Sequence, residues 1–353
     1  MKTKKKKLFA VYVIPETFVF LFSCKDTIRE DTLFARKKAI VFKEMSTSEP
    51  VGQVLYMKSM GDYLVVTGKN LETQAQLIDR KTKKSFLFGE TGDGPGRFLQ
   101  SANIMSIDDR YAGIFDMQRR TVFKFNVDSI IQQGKLCRPE TLVKEIPSFI
   151  PMGLDRLGDD RYVALGIMSD LKRFVLLDGK GEIVSMEGQL PEKKQERISD
   201  FVHAFAYWGR FTASPKEHKI AVCTNYAGMI QIYDCKTDGV RLIREHNLFS
   251  AEYNEREGNF VPTPQTRWGY LSIDSSDKYI FALYSGLNQV DHPDGAFTSG
   301  NIIHVFDWNG NPVCRLSADR RLKVICADND LNLYGYDGDT GELVVADIKE
   351  AVE

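Results

Sequence analysis

One strand pair recurs along this 353-residue chain and limits what it can fold into. A short run of β-branched and aromatic residues follows an Asp/Gly turn, and a second such run ends in Asp or Asn. The first members fall at 63–67, 111–115, 162–165, 219–223, 279–284 and 331–336. The second fall at 75–79, 121–126, 174–178, 229–234, 302–307 and 343–347. Apolar runs of this length, bounded by Asp, Asn and Gly, read as strands joined by turns. Turns such as Asp79-Arg80-Lys81-Thr82, Asp178-Gly179-Lys180-Gly181 and Asn309-Gly310-Asn311-Pro312 follow the second members, each before a further apolar piece. Trp208-Gly209-Arg210-Phe211-Thr212 also aligns with Trp268-Gly269-Tyr270-Leu271-Ser272 at an offset of sixty with no gap. Six units of about four strands predict an all-β fold, a six-bladed β-propeller, in which radial stacking buries each sheet against its neighbours.

The last unit runs out of chain before its fourth strand. Residues 38–43 form an unassigned strand and are expected to fill that slot and close the ring. Helical period shows only in two connectors, 192–205 and 248–257. The expected organisation is a signal segment over 1–23, a linker over 24–36 and the propeller over 37–353.

The amino terminus reads as an export signal. Five lysines in residues 1–7 precede a mostly apolar stretch to Ser23, interrupted by Pro15 and Glu16. That arrangement is a secretory signal rather than a span, which needs about 20 apolar residues. Cys137, Cys223, Cys235, Cys314 and Cys326 form no Cys-x-x-Cys pair and no even disulfide set. Cys223 and Cys326 lie in apolar runs and read as core residues. Lys+Arg 47 against Asp+Glu 48 removes the basic footprint of a nucleic-acid binder.

Blade topology locates the candidate site. With strands a to d running outward from the channel, b–c loops and d-to-a connectors share one face, and a–b and c–d turns share the other. The long segments 89–101, 189–207, 247–267 and 285–300 all belong to the first face, with blades four and five contributing most. Long loops on a rigid scaffold carry function. Arg97, His203, Tyr207, Arg210, Tyr226, Arg267 and His292 lie there without recurring between blades, and are the ligand-binding candidates. Arg can grip a carboxylate or phosphate, and Tyr can stack on a ring. Trp208 and Trp268 do recur, and read as blade packing.

Chemical motifs are sparse. Gly92-Asp93-Gly94-Pro95-Gly96 has no following Lys-Ser/Thr and sits between strands, so it reads as a turn and not a phosphate loop. Asp337-Gly338-Asp339-Thr340-Gly341-Glu342 lacks the twelve-residue calcium spacing and reads as a hairpin. The histidines are scattered, and no nucleophile elbow is present. No catalytic residue, metal site or cofactor is assigned.

Two resemblances add to this. Leu21-Phe22-Ser23-Cys24 resembles a bacterial lipobox, which implies cleavage before Cys24 and a diacylglycerol on its thiol. Gly89-Glu90-Thr91-Gly92-Asp93-Gly94-Pro95-Gly96-Arg97-Phe98, with the strand order, resembles the TolB-like or NHL-like six-bladed propeller lipoproteins of Gram-negative bacteria. The resemblance implies an outer-membrane lipoprotein, periplasmic or surface-facing, held to the membrane by its lipid. It implies no single activity. The expected function is non-catalytic binding of a small molecule, glycan, peptide or protein, with no nucleic acid. One alternative is a metal-dependent hydrolase or lactonase-type enzyme with its site in the channel. It would need carboxylates converging at the inner-strand starts, where 209–213 and 269–273 begin instead with Gly, Arg, Tyr and Phe. The other is a structural subunit of an envelope complex.

Overall fold

A computed structural model describes residues 28–353 apart from 70–72, 100, 145, 147–149, 159, 168–170, 194–195 and 237–238. Residues 1–23, read from the sequence as a signal segment, and Cys24 lie outside the described residues. A one-turn helix, α1 (Glu30–Leu33), and two short strands, β1 (Lys37–Ile40) and β2 (Lys43–Glu44), come first. Blade one is β3 (Gln53–Met60), β4 (Tyr63–Lys69), β5 (Thr73–Asp79) and β6 (Ser85–Glu90). Blade two is β7 (Ser101–Asp108), β8 (Tyr111–Asp116), β9 (Thr121–Asn126) and β10 (Glu140–Val143), with α2 (Val127–Gln133) between the last two. Blade three is β11 (Ile150–Gly158), β12 (Arg161–Ile167), β13 (Lys172–Leu177) and β14 (Ile183–Gln189). Helix α3 (Asp200–Ala206) leads to blade four, β15 (Gly209–Ser214), β16 (Lys219–Thr224), β17 (Met229–Lys236) and β18 (Gly239–Asn247). A hairpin, β19 (Tyr253–Arg256) and β20 (Asn259–Pro262), precedes blade five, β21 (Tyr270–Ser275), β22 (Tyr279–Tyr284), β23 (Gly300–Asp307) and β24 (Pro312–Leu322). Blade six is β25 (Val324–Ala327), β26 (Asn332–Asp337) and β27 (Glu342–Asp347), followed by α4 (Lys349–Val352).

Within each blade the strands are ordered outward as they occur in the chain. The inner strands β3, β7, β11, β15, β21 and β25 contact one another in turn, and β25 returns to β3, so the ring is closed. Middle strands such as β16, β22 and β26 are buried on both faces because a neighbouring blade covers each side. This is why they read as continuous apolar runs.

The Asp that ends so many strands has a local cause. Asp79 Oδ1 accepts the amides of Lys81 and Thr82 at 2.8 Å each, and Asp307 Oδ1 accepts those of Asn309 and Asn311 at 2.8 and 2.9 Å. Each carboxylate ties down the following turn. Asp337 does the same for Asp339 and Thr340, so the calcium-like fragment is the b–c hairpin of blade six. The repeated Trp-Gly also has a steric cause. A Cβ at Gly209 would lie 1.8 Å from the Cys223 carbonyl oxygen, and one at Gly269 would lie 1.8 Å from that of Ala227.

Closure differs from the expectation for 38–43. β1 runs parallel to β24, Lys37 opposite Arg315 and Ile40 opposite Ala318, and forms a fifth strand on blade five. Only β2 fills the outer slot of blade six, Lys43 opposite Val345 and Glu44 opposite Val344. The pattern of burial explains the split. Ile40 and Phe42 enter the core shared by blades five and six, whereas Lys37, Lys38 and Val41 stay exposed. Residues 28–36, read from sequence as linker, pack on the ring as a strap. The Ile28 amide donates to Asn247 O at 2.9 Å. Glu30 accepts from Arg315 Nε at 2.6 Å and His304 Nε2 at 3.2 Å. Phe34 is buried against His304 and Phe306, with ring centroids 4.5 and 5.4 Å away. Two further readings are corrected. Among the described residues of the helical stretch 192–205 only α3 forms, and 248–257 runs into the β19–β20 hairpin, which Glu257 and Gly258, both at positive φ, turn back. Helix α2, in a c–d link, has no counterpart in the sequence reading.

Candidate functional site

The long-loop face is built mainly from the two connectors that flank blade four. Helix α3 starts at Ser199, whose Oγ accepts the Val202 amide at 3.4 Å, while the Ser199 amide donates to Glu255 Oε2 at 2.7 Å. That second bond ties the helix to the hairpin. His203 completes the joint: its Nε2 lies 2.7 Å from Pro191 O and its Nδ1 lies 2.8 Å from the Tyr253 hydroxyl. A carbonyl only accepts, so Nε2 carries the proton and Nδ1 accepts from Tyr253. Burial lowers the His203 pKa and keeps the ring neutral, and burial pushes the Tyr253 phenol up to about 12. Between helix and hairpin lies a cavity of about 370 Å³, lined by Glu192, His203, Tyr207, Glu252, Tyr253 and Gln265 among others. Its size suits a small ligand or one side chain of a larger one.

Tyr253 in the cavity wall packs on Phe260 at 5.8 Å between centroids, and Phe260 belongs to a row of aromatic rings that crosses blades four and five. Phe201 to Phe205 spans 6.4 Å between centroids, Phe205 to Phe260 5.3 Å and Phe260 to Tyr226 4.7 Å. Tyr226 to Trp268 is 5.0 Å and Trp268 to Phe297 5.7 Å, and Trp208 joins through Phe205 at 5.7 Å. Each of these rings keeps some exposure, Phe201 the most at 45%. The indole Nε1 of Trp208 and the amide oxygen of Asn225, both buried beside the row, have no hydrogen-bond partner among the described residues.

The channel is a different environment. Lys58 on β3 donates to Asp274 Oδ1 on β21 at 2.6 Å, and Asp274 Oδ2 accepts the Ala327 amide of blade six at 3.0 Å. Ser272 Oγ accepts the Ile325 amide at 3.1 Å, and Thr212 Oγ1 meets Ser275 Oγ at 2.9 Å. These bonds join inner strands that have no sheet partner on the channel side. Asp155 on β11 is a further charged group there; burial pushes its pKa up to about 6, against the pull of Lys58 and the Arg156 amide. The narrow part holds about 50 Å³, room for a few waters, and opens on the short-turn face into a basin of about 460 Å³. Arg80, Asp109, Arg156, Lys216, Asp277 and Asp328 are among its lining residues.

The structure brings some of the sequence candidates together and separates others. His203 and Tyr207 share the 370 Å³ cavity, and Tyr226 is central to the aromatic row. Arg210 instead lines the channel, its guanidinium 4.4 Å from the centre of the Tyr56 ring. Arg267 donates to Gly286 O at 3.1 Å and covers Phe249, a loop-packing role. His292 lies partly exposed in the blade-five b–c loop, away from the cavity lining. Arg97 lies across Gly92 and Gly94, where a Cβ would come within 3.3 and 3.2 Å of its Cδ, and pairs with Glu90 at 3.2 Å. Phe98 beside it is buried against Phe123 and Phe125, so the Gly-rich run is a packed loop. Trp208 and Trp268 pack at the blade starts and also belong to the exposed row. The channel trio was missed because its members stand toward the short-turn ends of β11 and β21 and within β3, not at the strand starts. A charged residue inside an otherwise apolar inner strand was the available signal. Among the described residues no group of three or more His, Cys, Asp or Glu side chains is placed to hold a metal ion. The five described cysteines are buried and unpaired.

Six sheets in a ring, each stepping outward from a channel strand, define a six-bladed β-propeller. The chain belongs to the TolB-like 6-blade propeller-like family, which matches it over residues 77–330. Two solved structures share the fold. A Bacteroides fragilis protein described as exported is 11% identical, with a TM-score of 0.52 over 90% of this chain and 96% of its own. A DUF4221 family member from Bacteroides vulgatus is 10% identical, with a TM-score of 0.52 over 86% and 94%. No curated protein matches the sequence. Among the described residues no helix is long and apolar enough to cross a membrane.

Proposed function

We propose that this protein is an exported, lipid-anchored propeller that binds a small molecule, glycan or peptide through the long-loop face of blades four and five, without catalysis. The observation that carries the reading is the 370 Å³ cavity between α3 and the hairpin, whose wall residue Tyr253 packs against Phe260 of a row of partly exposed aromatic rings. Aromatic faces bind sugar rings and apolar side chains alike. His203 has both ring nitrogens engaged, which suits a fixed wall better than a proton shuttle. Export is supported by the amino-terminal signal pattern and by the similar Bacteroides fragilis protein described as exported. Against a channel metal enzyme, the Lys58 ammonium already lies against Asp274, where a metal ion would need the carboxylate.

The test is a thermal titration with a panel of glycans and peptides. A ligand of the native fold raises the melting temperature with concentration. The reading expects such a rise in the native protein and its loss in Tyr226→Ala. A rise that survives this change and Phe260→Ala places binding elsewhere. For the anchor, Cys24→Ser is expected to release the protein from membranes; continued membrane partitioning contradicts lipidation.

A further inference from the structure

The strap gives the anchored protein an orientation. This inference rests on the reading of Cys24 as the lipid-bearing residue. Only three residues, 25–27, separate Cys24 from Ile28, so the two α-carbons are at most about 14 Å apart even in a fully extended chain. Ile28 is not a free end. Its amide is bonded to Asn247, the last residue of β18, where blade four passes into the long-loop face. Glu30 on Arg315 and His304, and the buried ring of Phe34, fix the next turns of chain to blade five. A lipid on Cys24 therefore holds one edge of the ring close to the bilayer, at the long-loop rim of blade four.

That rim carries exposed apolar side chains. Phe201 on α3 is 45% exposed, and Val290 in the blade-five b–c loop is 54% exposed. Both lie on the same face as the Asn247 end of β18. We propose that the long-loop rim of blades four and five is the membrane-facing side of the protein, with Phe201 and Val290 resting among lipid headgroups while the short-turn basin faces away. Each side chain adds a small apolar contact, and the acyl chains supply the main attachment. The cavity between α3 and the hairpin would then open near the bilayer surface, within reach of a ligand lying on it.

The experiment uses the lipidated mature protein in vesicles of phosphatidylethanolamine and phosphatidylglycerol. Because the five described native cysteines are buried, a solvent-exposed introduced cysteine is the one that reacts with an environment-sensitive fluorophore. The variants are Phe201→Cys, Val290→Cys and, on the short-turn face, Lys216→Cys. The expected result is co-flotation of all three, with emission rising about twofold or more at 201 and 290 on vesicle addition and unchanged at 216. Co-flotation with no rise at 201 and 290, or with an equal rise at 216, overturns the orientation and leaves the anchor standing. Failure to co-float overturns the anchor reading and the orientation with it.

Discussion

The channel and the long-loop face of this propeller solve opposite problems. In the channel, polar groups tie blades together: Lys58 of blade one reaches across to Asp274 of blade five, and Asp274 and Ser272 accept the Ala327 and Ile325 amides of the neighbouring blade six. On the long-loop face the hydrogen bonds serve to join α3 to the hairpin, and the outward surface is left to partly exposed rings. The channel is arranged to close a ring, whereas the long-loop face leaves aromatic surface partly uncovered. Variants should therefore separate into those that change stability and those that change binding.

The largest effect is expected from Lys58→Met. It leaves Asp274 and Asp155 buried without their cation, and breaking a buried pair in this way costs about 3–5 kcal/mol. Urea unfolding measures it, and the double variant Lys58→Met with Asp274→Leu should recover most of the loss. A smaller effect concerns Asp155. Its folded pKa of about 6 lies above the ordinary 3.8, so the stability it contributes is present at low pH and is lost as pH rises through 6. The stability difference between native protein and Asp155→Asn should shift in favour of the variant by about 3 kcal/mol across that window. Glu30 has the opposite sign. Burial alone would raise its pKa, but bonds and charge from His304 and Arg315 hold it at about 2, below the ordinary 4.5. Its contribution is present above 4.5 and fades as pH falls toward 2. Glu30→Gln should cost about 1 kcal/mol at neutral pH, after allowance for its partial exposure, and nothing at the acid end. Tyr226→Ala should change stability least, by about 0.5–1 kcal/mol, yet abolish the thermal response to ligand. A Tyr226→Ala variant that fails to fold would erase the proposed division between channel and face.

Much of the ring was legible because the repeat has local causes. Middle strands are buried on both sides and read as unbroken apolar runs, and Asp79, Asp178 and Asp307 mark turns that their own carboxylates tie. Closure was only partly legible. The alternation that sends Ile40 and Phe42 inward allows two short strands on two blades as readily as one longer strand on one. The β19–β20 hairpin was missed because Tyr253 and Phe260 are positioned by packing against each other and α3, which no local pattern records. The channel trio joins residues 58, 155 and 274, from blades one, three and five, and only the closed ring brings them together. His203 and Tyr207, which line one cavity, stood out as candidates because they sit in a long connector without recurring. Their partner Tyr253 lay in another connector about fifty residues away and carried no sign of the pairing.

The most direct test is amide hydrogen exchange of the native protein with and without the compound that most raises its melting temperature. The account predicts added protection in residues 200–207 and 253–262, with the inner strands around 58, 155 and 274 unchanged. Protection confined to the short-turn basin, around 59–61, 156 and 275–277, would contradict it and move the binding site to the opposite mouth of the channel.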